Sequence, residues 1–224
     1  MTVIARLLTL ALLAITSLSA MAQDDQRFKR IPVDQMTPDQ KKYFDNLMAG
    51  PVSGTGSAAV VQGATSVGAP FNVYMRSPKL AEAFRQTGEY LRFNSSLPAR
   101  LNELAILITA QHWSAQYEWY AHNRLAIKAG LDPKISEQLA KGQRPVGMSK
   151  DEEAIYNFCH ELLNTHQVSD ANYDAVKALF GEQGVVDLIG VSGYYVMVSM
   201  ILNVNRTPLP AGATPAFPAP VSTK

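Results

Sequence analysis

Glu118 and His122 stand four residues apart in Glu118-Trp119-Tyr120-Ala121-His122, and Glu103 lies fifteen residues before Glu118. Four residues is close to one helical turn, so on a helix the carboxylate and the imidazole project from the same face. Imidazole gains and loses its proton near neutral pH, and a neighbouring carboxylate tunes that exchange. Trp113, Tyr117, Trp119 and Tyr120 crowd the pair and give it an apolar side. These residue types at this spacing suit proton transfer. On an arbitrary helix the same pair is usually a surface contact worth about 0.3–0.5 kcal/mol. Trp113, Trp119 and Tyr120 taken singly are core formers.

Other chemistries are poorly supplied. The four histidines are His112, His122, His160 and His166. No two sit at His-x-x-x-His spacing, and the separation of six positions from His160 to His166 puts them on different helix faces. No metal site and no cofactor is expected. Cys159 is the single cysteine, so an internal disulfide is excluded. It falls in the half-apolar run Ile155 to Leu163, where a buried, inert thiol is the expectation.

Residues 1–22 read as a secretory signal. Arg6 forms a small basic start, Leu7 to Ala20 an apolar stretch, and Ala20-Met21-Ala22 a small-x-small cleavage site. The apolar stretch is short for a membrane span of about 20 residues. Cleavage after Ala22 and a periplasmic or secreted product are expected, with no membrane attachment afterwards. The full chain holds 20 basic and 19 acidic residues. Removing Arg6 leaves a formal charge of zero, which gives no bulk attraction for nucleic acid or anionic membrane.

The elements that must position Glu103, Glu118 and His122 are helical. Thr37-Pro38-Asp39-Gln40 is a capping box with proline at the first helical position. It opens a helix to about Met48. Residues 49–71 show no periodicity and read as a long loop, either a lid or an insertion. Ser77-Pro78 opens a helix through Leu91, and another runs from about Ala99 to His112. Ser114 is a candidate N-cap for a helix closing at Gly130. Further starts fall at Asp132-Pro133, at Ser149 to Glu152 (a second capping box) and at Ser169-Asp170, with a stop at Gly181. The last helix, about 183–204, is apolar nearly all round and long enough to raise a membrane span. Asp187, Ser192, Gly193 and Ser199 favour a core or subunit-contact helix instead. The fold class is all-α, about seven helices. The expected organisation is a flexible segment 23–36, a helical domain 37–206 and a Pro-rich disordered tail 207–224.

Leu97-Pro98-Ala99-Arg100-Leu101-Asn102-Glu103-Leu104-Ala105-Ile106-Leu107, then Tyr117-Glu118-Trp119-x-x-His122 and Ala129-Gly130-Leu131, resemble the carboxymuconolactone decarboxylase family, within the alkylhydroperoxidase D-like superfamily. The likeness extends to Phe71-Asn72-Val73, Ser77-Pro78-Lys79-Leu80, Val168-Ser169-Asp170 and 203–210, and covers about 37–210. Family peroxidases carry Cys-x-x-Cys followed by a histidine, with a glutamate upstream. Here Ala115 and Glu118 stand at the cysteine positions, while Glu103 and His122 keep the other two. Thiol peroxidase chemistry needs an attacking thiolate and a resolving thiol, so it is not expected.

The resemblance implies a helical bundle with a site shared between subunits, and acid–base work on a small organic acid or lactone. His122 would deliver a proton, Glu118 would orient it and Glu103 would complete a relay. Arg100 is the nearest cation in sequence and would hold a substrate carboxylate, unless it pairs with Glu103. Tyr117, Trp119 and Trp113 would wall the substrate site. Two readings stay open: a cofactor-free lyase or isomerase, and a non-catalytic small-molecule-binding protein. A homo-oligomer, trimer or hexamer, is expected because one domain does not readily cover so apolar a last helix.

Overall fold

Proline and capping side chains set where the helices begin. At Thr37 the hydroxyl accepts from the Gln40 amide at 3.3 Å, and the Thr37 N–H donates to the Gln40 side chain at 3.0 Å. Pro38 then opens α1, Pro38–Ala49. A computed structural model describes residues 25–57 and 59–218; the expected signal segment 1–22 and the end of the tail lie outside them. After α1 come α2 (Phe71–Tyr74), α3 (Pro78–Phe93), α4 (Ala99–His112), α5 (Gln116–Lys128), α6 (Pro133–Ala140), α7 (Lys150–Thr165) and α8 (Asp170–Asn205). The described residues form eight α-helices and two short 3-10 turns, with no strand.

Helix α4 is the centre. It packs against α5, α7 and α8, and Leu101, Leu104, Ala105, Ile106 and Leu107 are wholly buried. Truncating any one of these leucines costs about 2–5 kcal/mol by the usual cavity rule. The start of α4 is tied to the start of α7 by Arg100. Its guanidinium pairs with Asp151 at 2.7 Å and also with Glu152. Three carboxylates in the first turn of α7, Asp151, Glu152 and Glu153, complement that helix terminus, and Arg100 complements two of them in turn.

Gly181 breaks α8 with φ 68° and ψ −177°, a backbone that a side chain resists. The expected stop at Gly181 and restart near 183 are therefore one helical trace with a break. Beyond it, Gly184, Leu188, Val191, Tyr195, Val198, Leu202 and Asn205 form the buried stripe, at alternating spacings of four and three. Asp187 anchors the helix to the α3–α4 connection. Its carboxylate accepts from the Ser96 N–H and hydroxyl, both at 2.7 Å, and from the Tyr90 hydroxyl at 3.1 Å. The opposite face carries Val186 (65% exposed), Ile189 (49%), Met200 (43%) and Val204 (50%). Half of the most apolar window of α8 is buried within the domain.

Among the described residues of the expected flexible segment (23–36) and disordered tail (207–224), side-chain contacts hold both stretches to the helical domain. The Phe28 N–H donates to the Asn205 side chain at 3.0 Å, and the Ile31 N–H to Asn72 at 3.1 Å. Two buried asparagines thus pin the segment before α1. At the other end, the Ala216 N–H donates to Gln116 at 3.0 Å, and Phe217 packs edge-on against Trp119 with ring centres 5.5 Å apart. A buried aromatic and an amide clasp hold residues that prolines alone would leave extended and solvated.

Candidate active site

Three helices bring the titratable groups together. Helices α4 and α5 meet through a tight turn in which the Ala115 N–H returns to the Ala110 carbonyl at 2.8 Å. Ser114 takes φ 50° inside that turn, and Ala115, not Ser114, occupies the N-cap. The reversal sets Glu103 of α4 beside His122 of α5. His122 Nδ1 lies 2.7 Å from Glu103 Oε2, and Nε2 lies 3.1 Å from Glu118 Oε1. The imidazole is thus held at both nitrogens by carboxylates. Helix α8 adds the Tyr195 ring, edge-on to the imidazole at 5.0 Å between centres. All three side chains are buried or nearly so, at 7% exposure for His122, 4% for Glu118 and 13% for Glu103.

Burial lowers the proton affinity of His122, but the charges and hydrogen bonds of Glu103 and Glu118 more than reverse this and raise its pKa to about 9. His122 is therefore an imidazolium at neutral pH, donating to both carboxylates. The sequence places a titration near neutrality; the second carboxylate moves it upward. Glu118 sits in the first turn of α5, where the helix terminus favours negative charge.

A cavity of about 60 Å³ opens on this group. Glu118 and His122 line it, while Glu103 lies behind the imidazole. Tyr74, Tyr117, Tyr194 and Tyr195 form its aromatic walls. Burial raises the tyrosine pKa values, Tyr194 to about 12, so these phenols stay neutral. Gly88 of α3 lets Tyr194 lie close: a Cβ at that position would collide with the phenol oxygen. The Tyr194 hydroxyl donates to the Phe84 carbonyl at 3.1 Å. Val52, Thr55, Ser57 and Ala59 from the long loop form the roof. Arg124 holds that roof by donating to the Gly56 carbonyl at 3.1 Å.

The expected substrate-binding set divides. Tyr117 lines the cavity. Arg100 does not; it is engaged by Asp151 and Glu152, two carboxylates of the first turn of α7 that stand within ion-pair distance of it. Trp119 faces away from the cavity onto Phe217. Trp113 closes α4, and its carbonyl accepts from the Asn203 side chain at 2.8 Å. Sequence reasoning missed Arg92, which lines the cavity. A cation in the last turn of a helix is ordinary complementation of the helix terminus, so its position carried no distinguishing signal. Among the described residues no group of three or more His, Cys, Asp or Glu side chains is placed to hold a metal ion. Cys159 is fully buried beside Ser192, and burial pushes its thiol up to about 12.

No family model and no curated protein sequence matches the chain. Among solved structures it is similar to ATU0492 from Agrobacterium tumefaciens, a protein of unknown function described as a candidate antioxidant defence protein AhpD. Identity is 15% and the TM-score 0.56, with 62% of this chain and 97% of that one covered. It is also similar to the debrominase Bmp8, as the apo protein at 11% identity and as a cysteine-to-alanine variant in complex with 2,3,4-tribromopyrrole at 12%. Both give a TM-score of 0.59 and cover 78% of this chain and 87% of Bmp8. The chain has the all-helical alkylhydroperoxidase D-like fold.

Proposed function

We propose that the protein is an exported, cofactor-free lyase or isomerase, similar to carboxymuconolactone decarboxylase, acting on a small organic acid or lactone. The observation that carries this reading is the imidazolium of His122 held between two buried carboxylates at a cavity edge. Glu103 positions the ring and keeps it charged. Glu118 is the carboxylate that meets the ligand, with His122 Nε2 as the source of its proton. In a decarboxylation the C–C bond to the carboxylate breaks and CO2 leaves. The electron pair moves into the adjacent π system, and a proton from the relay ends on carbon. His122 then recovers a proton from solvent. An isomerisation uses the same relay to remove a proton at one carbon and return it at another.

Catalysis on this fold is supported by Bmp8, whose debrominase activity and small halogenated heterocycle set a precedent for a compact ring in such a cavity. Peroxidase chemistry is less well supported, because Ala115 and Glu118 replace the thiol pair and Cys159 is buried. Export rests on residues 1–22 and implies a periplasmic or secreted enzyme. The outward apolar stripe of α8 supports a homo-oligomer, a trimer or hexamer. A non-catalytic binding protein is the second reading, favoured by the small size of the cavity, about 60 Å³.

A screen of small organic acids and lactones with wild type and His122→Ala tests this function. Turnover present in wild type and lost in the variant is expected. Ligand binding without turnover in wild type would move the protein to the second reading, and equal turnover in both would remove the relay.

A further inference from the structure

Arg92 stands in the cavity wall with its Nε buried and without a hydrogen-bond partner. Its one described contact is the Phe93 ring, 5.1 Å from the guanidinium carbon. Other arginines are engaged by carboxylates, Arg85 by Glu82 and Glu89, Arg100 by Asp151 and Glu152, and Arg144 by Glu153. The residue as a whole is half-buried, but an Nε–H withdrawn from water without a hydrogen-bonded partner is unfavourable. Its flat fork offers parallel donors matched to a carboxylate. Burial weighs against its charge, but the groups around it outweigh burial, and at neutral pH it is the Glu103 and Glu118 carboxylates, not the neutral Tyr195 phenol, that favour the charged form.

We propose that Arg92 anchors the carboxylate of a small monoanionic ligand, whose apolar body lies against Tyr194 and Tyr195 and points toward Glu118. Glu103 and Glu118 are balanced by His122 and Arg92, so a single negative charge enters a site that is otherwise neutral. A dianion finds no second unengaged cation in the cavity, since Arg85 is held by its carboxylates and Arg124 by the roof. About 60 Å³ admits a ligand the size of acetate without movement. A flat aromatic acid requires the roof at Thr55 and Ser57 to lift. Only the placement of the ligand toward Glu118 rests on the acid–base reading; the anchor itself is a statement about binding.

The test uses acetate and benzoate as probes, with neutral acetamide and chloride as controls, in calorimetric titrations near pH 7. Wild type binds acetate and not acetamide. Arg92→Met weakens acetate at least about 10-fold, the loss expected for a charge-assisted pair. Arg92→Lys falls between. The Arg92 Nε–H resonance of wild type moves on adding acetate, a readout that does not depend on the variant folding. Equal binding of acetate and acetamide, equal competition by chloride, or an unmoved Nε–H signal would overturn the anchor. Acetate binding with no turnover of any acid leaves the anchor and removes the catalytic reading. Turnover of a neutral lactone without carboxylate binding does the reverse.

Discussion

Raising the pH of the native protein should cost it stability through one residue, His122. Its folded pKa of about 9 stands above the ordinary 6.5 because Glu103 and Glu118 outweigh burial. The folded state therefore holds this proton more tightly than the unfolded chain. The contribution is full below about pH 6.5 and is lost as pH rises through about 9. At about 1.36 kcal/mol for each tenfold change in proton affinity, the difference is worth roughly 3 kcal/mol. That is a large share of the 5–15 kcal/mol typical of a domain. Urea unfolding at about pH 6 and about pH 9.5 reads it directly. Wild type should lose roughly 3 kcal/mol more over this interval than His122→Gln, which has no proton to release. Lysines and tyrosines that titrate at the upper end act alike in both proteins and cancel in the difference. An NMR titration of the imidazole should place its midpoint near pH 9, with Glu103→Gln moving it down. Parallel stability profiles for wild type and variant, or a midpoint near 6.5, would refute the assignment of two ionised carboxylates to this ring.

Asp187→Ala strands the Ser96 N–H and hydroxyl and should cost roughly 2–4 kcal/mol in urea unfolding; a loss under about 1 kcal/mol would show that water replaces the carboxylate. Wild type should consume no peroxide with a thiol reductant. Cysteine at both 115 and 118 should introduce that activity, and Cys159→Ser should change neither protein. Robust wild-type turnover abolished by Cys159→Ser would remove the acid–base reading. Ile189→Asp with Met200→Glu should give a monomer by light scattering at low micromolar concentration with unchanged helical circular dichroism; a wild type that is itself monomeric would remove the subunit-contact role of α8.

The parts of the fold that were legible are those written in local chemistry. Thr37 with Gln40, Asp132 before Pro133, and Gly130 and Gly181 at positive φ are short-range devices, and each does what its residue type dictates. Glu118 and His122 were likewise legible because one helical turn separates them. Glu103 could be singled out in the sequence, but its role beside His122 came through resemblance, since only the α4–α5 reversal brings it to the other ring nitrogen. Arg100 misled because proximity in sequence to Glu103 says nothing about the competing carboxylates of α7, some fifty residues away. Arg92 and Tyr195 reach the site through tertiary packing, so no local spacing announces them. The pinned ends escaped for the same reason: their partners, Asn72, Asn205 and Gln116, are distant in sequence.

Gly88 gives the cavity an adjustable depth. The collision that a methyl group would make there falls on the Tyr194 hydroxyl, at the far end of a rigid ring already tethered to the Phe84 carbonyl. Relief requires the ring to swing, and the same ring is part of the cavity wall. Gly88→Ala should therefore act as a piston from behind, changing which ligand lengths are accepted while Glu103, His122, Glu118 and Arg92 keep their chemistry. Ranking acetate, propionate and butyrate by affinity in the two proteins would expose the change; an identical ranking would mean that the ring retreats along another path.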